Sequence, residues 1–183
     1  MGSYYAQRFL GIANPRVALL NIGAEPSKGM DLQKQTHALL TQAHEAGRLN
    51  FVGNIEGREA MSQGVDVLVT DGFTGNIFLK TVEGAAILFS GALKQMLLGS
   101  TKTKLAALML KDGIGQFKKR FDANEVGGTA MLGISQPVVK AHGSSNGYAF
   151  FNAIRQAKVV AETKVVEDIA ANVAHMRLDQ KEA

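Results

Sequence analysis

Short apolar runs, each followed by a polar or glycine-containing loop, recur through the first seventy residues. Arg16–Ile22 (RVALLNI) is a short apolar run that ends in Gly23 and predicts a buried strand. A helix is predicted from about Asp31 to Ala46, where leucines recur at helical spacing before a glycine. Asn50–Ile55 and Val65–Thr70 predict the second and third strands.

Helical spacing dominates the rest of the chain. The predicted elements are, in order, a helix from near Ile77, two helices within residues 91–121 separated near Gly99 and Ser100, short strands at Met131–Ile134 and Val138–Ala141, and a helical region from Ser145 to about Leu178 with a bend near Glu162.

Repeated strand–loop–helix units favour an α/β fold with a mainly parallel sheet. Ligands of such sheets bind beyond the carboxyl ends of the strands. We therefore expect the loops after Ile22, Ile55 and Asp71, together with the turn into the last helix, to share one edge.

Composition narrows the class of protein. Apolar residues make up 46% of 183 residues, enough for a packed core, and the absence of Cys excludes disulfides and a Cys nucleophile. No apolar run approaches the roughly 20 residues that span a bilayer, and residues 1–10 do not resemble a signal-peptide core. A soluble cytoplasmic protein is expected.

Positive charge is concentrated in one segment. Residues 91–121 hold seven basic residues and one acidic residue, a net charge of +6, whereas the whole chain carries +4. An anionic partner is therefore expected at this segment, and no nucleic-acid partner is expected.

The loop Gly23–Gly29 has features of an anion site. Backbone N–H groups of a glycine-rich loop and the following helix N-terminus attract anions, and Ser27 and Lys28 add a hydroxyl and an ammonium group. The sequence matches neither GxGxxG nor GxxxxGK[ST], so an ordinary strand-to-helix turn remains the alternative.

Asp71–Asn76 (DGFTGN) places a carboxylate, a hydroxyl and an amide at the end of the third strand, and Lys80 follows. Asp71 could orient a Lys or His or accept a hydrogen bond from substrate. The alternative is that Asp71 caps the next helix while Lys80 is solvated.

Lys140–Asn146 (KAHGSSN) is the densest polar cluster. It lacks the GxSxG elbow of a serine hydrolase, and Ser145 is interpreted as an N-cap rather than a nucleophile. His142 could act as a base, a hydrogen-bond donor or a satisfied structural residue. The other histidines show no ligand spacing, so no metal site is predicted.

Four segments, in order, resemble one known family: NPRVALLNIGAEPSKG, NFVGNIEGRE, DVLVTDGFTGNIFLKTVEG and GGTAMLGISQPVVKAHGSSNGYAFFNAIRQA. The chain is similar to the acyl-acyl carrier protein:phosphate acyltransferases of bacterial phospholipid synthesis. The resemblance implies attack of inorganic phosphate on an acyl thioester, giving acyl phosphate and free carrier protein. It also implies a Rossmann-like three-layer α/β/α fold related to isocitrate and isopropylmalate dehydrogenases, a homodimer, and no cofactor.

Candidate roles follow from this implied reaction, which needs a held dianion and donors to the developing oxyanion. The candidate catalytic residues are Lys140, His142, Asn146 and Asp71. The candidate phosphate- or substrate-binding residues are Asn21, Ser27, Lys28, Thr74, Asn76, Lys80, Ser144 and Ser145.

Members of the family are nearly twice as long, and a Met-Gly pair lies inside their chains just before the NPRV strand. We therefore expect residues 1–183 to be the C-terminal part of one acyltransferase domain, with an incomplete sheet. The helical hairpin at about 91–121 is expected to pair across a dimer and to contact anionic lipid, as the family's peripheral membrane association implies. Two alternatives stay open: the same lysines could dock the acidic carrier protein, or the hairpin could be solvated and packed on its own domain. The hairpin residues singled out are Leu97, Leu98, Lys102 and Lys104.

Two other functions remain open. One is a phosphate acetyltransferase-like enzyme that uses acyl-coenzyme A. The other is a non-catalytic fragment that dimerises or binds membranes. A nicotinamide dehydrogenase is disfavoured because the GxGxxG fingerprint is missing.

Overall fold

The computed structural model describes residues 1–62 and 64–177. A parallel three-stranded sheet contains β1 (Arg16–Asn21), β2 (Asn50–Glu56) and β3 (Val67–Val69) in the order β2–β1–β3. The three predicted strands are confirmed, and so is the α/β class with a small parallel sheet.

The described helices precede, connect and follow these strands. Their bounds are α1 Gly2–Leu10, α2 Asp31–Glu45, α3 Gly57–Ala60, α4 Gly72–Leu98, α5 Thr101–Met109, α6 Lys111–Arg120, α7 Ala123–Val126, α8 Gly147–Glu162, α9 Val165–Ala171 and α10 Val173–Met176. Two further strands, β4 (Gly128–Ala130) and β5 (Val139–Ala141), pair with each other.

The chain divides into two compact units. The first contains Met1–Asp71, Ala130–Val139 and the chain from Ala157 onward, and the second contains Gly72–Thr129 and Lys140–Gln156. The parallel sheet lies in the first unit. Helices α4 to α7 and the start of α8 lie in the second.

A valine-rich cluster forms a core of the first unit. Val160, Val165, Val166 and Ile169 are buried, and the aromatic residues of α1, Tyr4, Tyr5 and Phe9, pack against them. Sequence patterning did not predict α1. A helix of nine residues is marginal alone in water, so this packing accounts for its formation.

An ion pair joins α1 to α9 at the edge of this core. Arg8 donates to both carboxylate oxygens of Asp168, at 3.0 and 3.2 Å. This hydrogen bonding and the carboxylate charge raise the pKa of the Arg8 guanidinium.

Three predicted boundaries were wrong. Helix α4 begins at Gly72 rather than near Ile77, so the GFTGN segment is helical despite its low intrinsic propensity. The first short strand is Gly128–Ala130, not Met131–Ile134. Leu110 separates α5 from α6, so the segment 91–121 holds a second interruption.

Other interruptions match the predictions. The predicted break near Gly99 and Ser100 is confirmed, because α4 ends at Leu98 and α5 begins at Thr101. Ser100 caps α5, since its side chain accepts a hydrogen bond from the Thr103 N–H. The bend near Glu162 is confirmed, because α8 ends there and Lys164 adopts a left-handed conformation with φ 53°. The predicted helical end near Leu178 lies outside the described residues.

Helix α4 is unusually exposed and apolar. It is 27 residues long, has a mean hydropathy of 1.2 over its most apolar 18 residues, and has none of that stretch buried. It therefore meets the length and composition of a membrane-crossing helix, which counting uninterrupted apolar runs did not reveal. One such helix is weak evidence of a membrane span.

Candidate functional site

The carboxyl ends of the three parallel strands lie at one edge of the first unit. Asn21 ends β1, Glu56 ends β2, and Asp71 follows β3 after one residue. The prediction that these strand ends share an edge is confirmed. The turn into the last helix, predicted to join them there, belongs to the second unit, so that part stays a prediction.

The loop after β1 contains a hydrogen-bonded turn. The Lys28 N–H donates to the Glu25 carbonyl at 3.1 Å, which closes a four-residue turn with Pro26 in its second position. Proline is favoured at that position because its ring fixes φ near the value that the turn needs. Ser27 and Lys28 therefore project from a defined turn, and both are exposed.

Two buried amides attach this turn to the sheet. Asn21, at the end of β1, donates to the Lys28 carbonyl at 3.1 Å and accepts from the Ile22 N–H at 2.9 Å. Asn54, in β2, donates to the Glu25 carbonyl at 2.8 Å. Sequence reasoning proposed Asn21 as a phosphate- or substrate-binding residue and missed Asn54. In the structure, the side-chain nitrogen and oxygen of Asn21 both form hydrogen bonds with the backbone.

Gly29 packs directly on the Asn21 amide. Its φ is 86°, and a Cβ atom there would lie 2.7 Å from Asn21 Oδ1 and 2.7 Å from Gln33 Cβ. A side chain at position 29 would be strained by the backbone conformation and would collide with the residue that holds the turn.

Asp71 contacts the start of α2. The Gln33 amide donates to Asp71 Oδ2 at 3.5 Å, and its oxygen accepts from the Met30 N–H at 3.1 Å. Gln33 was not singled out from the sequence. Its position in the first turn of a helix after a glycine-rich loop is the signal that could have identified it.

A cavity of about 160 Å³ lies at this edge, between the strand ends and α2. It is lined by Leu19, Leu20, Leu32, Gln33, Thr36, Val69, Thr70 and Asp71. A larger cavity of about 270 Å³, which includes Asn14, Arg48 and Asn50, lies at the opposite, amino-terminal edge. The smaller cavity lies at the carboxyl edge, where ligands of parallel sheets bind, and Asp71 is the predicted site residue that lines it.

Thr74, Asn76 and Lys80 lie on the first turns of α4, in the second unit. Lys80 forms an ion pair with Glu83 at 2.7 Å, on the same helix. Its charge is therefore partly neutralised, unlike that of Lys140, which makes no ion pair among the described residues.

His142 and Ser144 contact each other in the loop before α8. The Ser144 Oγ lies 2.7 Å from His142 Nδ1, and the Ser144 N–H donates to the same nitrogen at 3.2 Å. A backbone N–H can only donate, so this network assigns Nδ1 as the acceptor and leaves the proton of the neutral ring on Nε2. His142 is exposed and can donate from Nε2.

The N-cap of α8 is Asn146, not Ser145. Asn146 Oδ1 accepts from the Ala149 N–H at 2.9 Å, while the Ser145 N–H donates to the His142 carbonyl at 3.0 Å. Ser145 thus belongs to the preceding turn. The amide of Asn146 is preferred at this position for the same reason as a serine hydroxyl, since it accepts from a helix N–H that lacks a partner.

The predicted site residues divide between the two units. Asn21, Ser27, Lys28 and Asp71 belong to the first; Thr74, Asn76, Lys80, Lys140, His142, Ser144, Ser145 and Asn146 belong to the second. Hydrogen bonds join Asn21 to Lys28 and His142 to Ser144 and Ser145. Among the described residues, no group of three or more His, Asp or Glu could hold a metal ion.

A parallel α/β sheet with a polar loop cluster at its carboxyl edge defines a class of ligand-binding α/β proteins. Comparison with known sequences makes the assignment specific. Residues 1–168 match the family described as fatty acid synthesis protein, and the chain belongs to that family.

Among its relatives are proteins named phosphate acyltransferase from Staphylococcus aureus. Those of strains MSSA476 and MW2 are 49% identical to this chain and that of strain MRSA252 is 48% identical, in each case over 173 residues. The match covers 94% of this chain and 52% of each relative. The chain thus spans about half the length of the curated relatives that it matches.

The packing of Gly29 predicts a specific loss of stability. Gly29→Ala is expected to lower the free energy of unfolding by about 3 kcal/mol, from the left-handed backbone and the overlap with Asn21. Gly47→Ala is the control, because Gly47 also has a positive φ, 68°, but has open space around its Cβ position. It should cost about 1 kcal/mol. Urea unfolding of both variants measures the difference, and equal losses would show that the contact with Asn21 is not restrictive.

Proposed function

We propose that this chain supplies part of the active site of an enzyme that transfers a fatty acyl group from acyl carrier protein to inorganic phosphate. The observation that carries the proposal is the 49% identity to proteins named phosphate acyltransferase, over 94% of the chain. A phosphate oxygen attacks the thioester carbon, and the carbon–sulfur bond breaks. The acyl phosphate leaves for phospholipid synthesis, and the carrier thiolate takes up a proton.

The Glu25–Lys28 turn, which Asn21 and Asn54 attach to the sheet, is suited to binding phosphate. Lys28 is about half exposed, with 45% of its side chain accessible, and its Nζ lies 4.0 Å from the Glu25 carboxylate. This exposed pair contributes little, so the ammonium group remains available to an anion. The Ser27 hydroxyl, on the same turn, supplies a donor beside it.

Lys140 and His142 are proposed to act on the same reaction. Lys140 supplies positive charge to the phosphate. His142 Nε2–H donates to the carbonyl oxygen as negative charge develops there, which is the stabilisation that acyl transfer requires. Asp71, Thr74, Asn76, Ser144 and Ser145 are retained as polar groups of the site, while Asn146 acts through the N-terminus of α8.

The complete domain is proposed to be a three-layer α/β/α fold of the isocitrate and isopropylmalate dehydrogenase type, of which residues 1–183 form a part. Support comes from the parallel order β2–β1–β3 and from the partial coverage of the relatives. The enzyme is proposed to work in the cytoplasm as a homodimer.

The hairpin at about 91–121 is proposed to contact the inner face of the membrane. The end of α4 packs on α5, and large apolar side chains near this end are exposed: Met96, Leu98, Leu105, Leu108, Met109 and Leu110. Lys102 and Lys104 lie among them on α5. Apolar side chains interleaved with lysines are typical of segments that bind anionic lipid surfaces.

Lys140→Ala tests the phosphate site. In the intact polypeptide as its gene encodes it, the variant is expected to raise the KM for phosphate about tenfold or more, because a charged hydrogen bond to the dianion is lost. The KM for acyl carrier protein should change less than twofold. Acyl phosphate formation at varied phosphate concentration measures both.

Lys158→Ala is the control for this test, because Lys158 is an exposed lysine on α8 that pairs with Glu162 at 3.6 Å. It should leave both constants unchanged. Unaltered phosphate dependence in Lys140→Ala would overturn the role given to Lys140.

Replacement of Leu97 and Leu98 by Glu tests the membrane contact. The double variant should no longer sediment with anionic vesicles, while each lysine near the surface contributes about 1 kcal/mol to binding by the unmodified protein. Replacement of Leu10 and Leu39 by Glu is the control, because both leucines are exposed, on α1 and α2, and the change of charge is the same. If the unmodified protein sedimented equally with anionic and neutral vesicles, the proposed contribution of the lysines to membrane binding would be contradicted.

A further inference from the structure

A bulge in β2 determines where Asn54 lies. Val17 pairs with Phe51, but Leu19 pairs with Asn54, so β2 contains one extra residue between these pairs. Gly53 stands at the extra position with φ 97°, a conformation that favours glycine. Bulges of this kind turn the next side chain in a new direction and are common beside active sites.

Asn54 donates the second hydrogen bond to the Glu25 carbonyl oxygen. This oxygen accepts from the Lys28 N–H at 3.1 Å and from Asn54 Nδ2 at 2.8 Å, so both of its lone pairs are used. The turn is thereby closed and attached to β2 at a single atom. Asn21 holds the other end of the turn, at the Lys28 carbonyl.

The Asn54 side chain is not optimal for stability. Asn54 is 9% exposed, and its buried Oδ1 has no hydrogen-bond partner among the residues that the structure describes. The amide cannot be reversed, because Oδ1 would then face the Glu25 carbonyl oxygen. An unpaired buried acceptor lowers stability by its desolvation penalty, which an apolar side chain of similar size would avoid.

We propose that Asn54 is a positioning residue that fixes the Glu25–Lys28 turn so that Ser27 and Lys28 are presented to phosphate. This rests on the proposed function. The stability cost of the unpaired oxygen is then offset by a defined turn. Asn54 is not proposed to touch substrate, because its side chain is buried and is bonded to the turn.

Asn54→Leu separates positioning from stability. The substitution removes the attachment of the turn and the unpaired acceptor together, while the Glu25 carbonyl keeps the Lys28 N–H. The melting temperature should therefore stay unchanged or rise. Hydrogen exchange at the Lys28 amide should accelerate about threefold to tenfold, and the KM for phosphate should rise by a similar factor with kcat within twofold.

Asn152→Leu is the matched control. Asn152 is 1% exposed and donates to the Asn124 carbonyl at 2.8 Å, within the second unit. This variant should leave the Lys28 exchange rate and the KM for phosphate unchanged while lowering the melting temperature. Asn54→Ala serves as a second variant and should give the same exchange and KM changes as Asn54→Leu.

Normal Lys28 exchange and normal phosphate KM in both Asn54 variants would overturn the proposal. So would a fall in melting temperature in Asn54→Leu with no change in either quantity, because that is the result of a purely structural role. If the intact polypeptide as its gene encodes it, without substitutions, forms no acyl phosphate, the proposed function fails. The exchange rates then decide independently whether Asn54 fixes the turn.

Discussion

The attachment of one turn to the ends of two parallel strands is the constraint on which the candidate site depends. Asn21 and Asn54 are each 9% exposed, and each donates its side-chain amide to a carbonyl of the Glu25–Lys28 turn. A buried amide that lost its partner would carry a desolvation penalty, so the turn and the strand ends stabilise each other. Gly29 adds to the constraint, because only glycine leaves room for the Asn21 amide.

This constraint suits the proposed role of phosphate as the nucleophile. A reaction that depends on positioning requires the attacking oxygen to be held about 3–3.5 Å from the carbon that it attacks. A lysine on a mobile loop could attract phosphate, but it would not fix its direction. Lys28 has its backbone N–H and carbonyl both bonded, so only its side chain remains free to move.

The sheet was predictable because its strands are short segments rich in apolar and β-branched residues that end at polar loops. The start of α4 at Gly72 was not predictable, because Gly72, Thr74 and Asn76 have low helix propensity. Tertiary context overrides that propensity in the folded chain. Helix α1 was missed because its aromatic residues become informative only once their packing partners on α9 are known.

Individual site residues were predicted less completely than the loops that carry them. Ser27 and Lys28 follow from residue type and loop position. Asn54 was missed because its role depends on a bulge and on a carbonyl 29 positions earlier in the chain. The glycine before it was the available signal, since glycine within a strand often marks a bulge. The exchange of roles between Ser145 and Asn146 is a shift of one residue at a helix end, where sequence patterns are least informative.

Titration of the ¹⁵N-labelled protein with inorganic phosphate, followed by amide chemical shifts, tests the central claim most directly. The account predicts saturable shifts at the backbone amides of Ser27, Lys28 and Gly29. Residues at the amino-terminal edge, such as Arg48 and Asn50, should not respond. Saturable shifts confined to that opposite edge, or no shift in the Ser27–Gly29 segment, would contradict it.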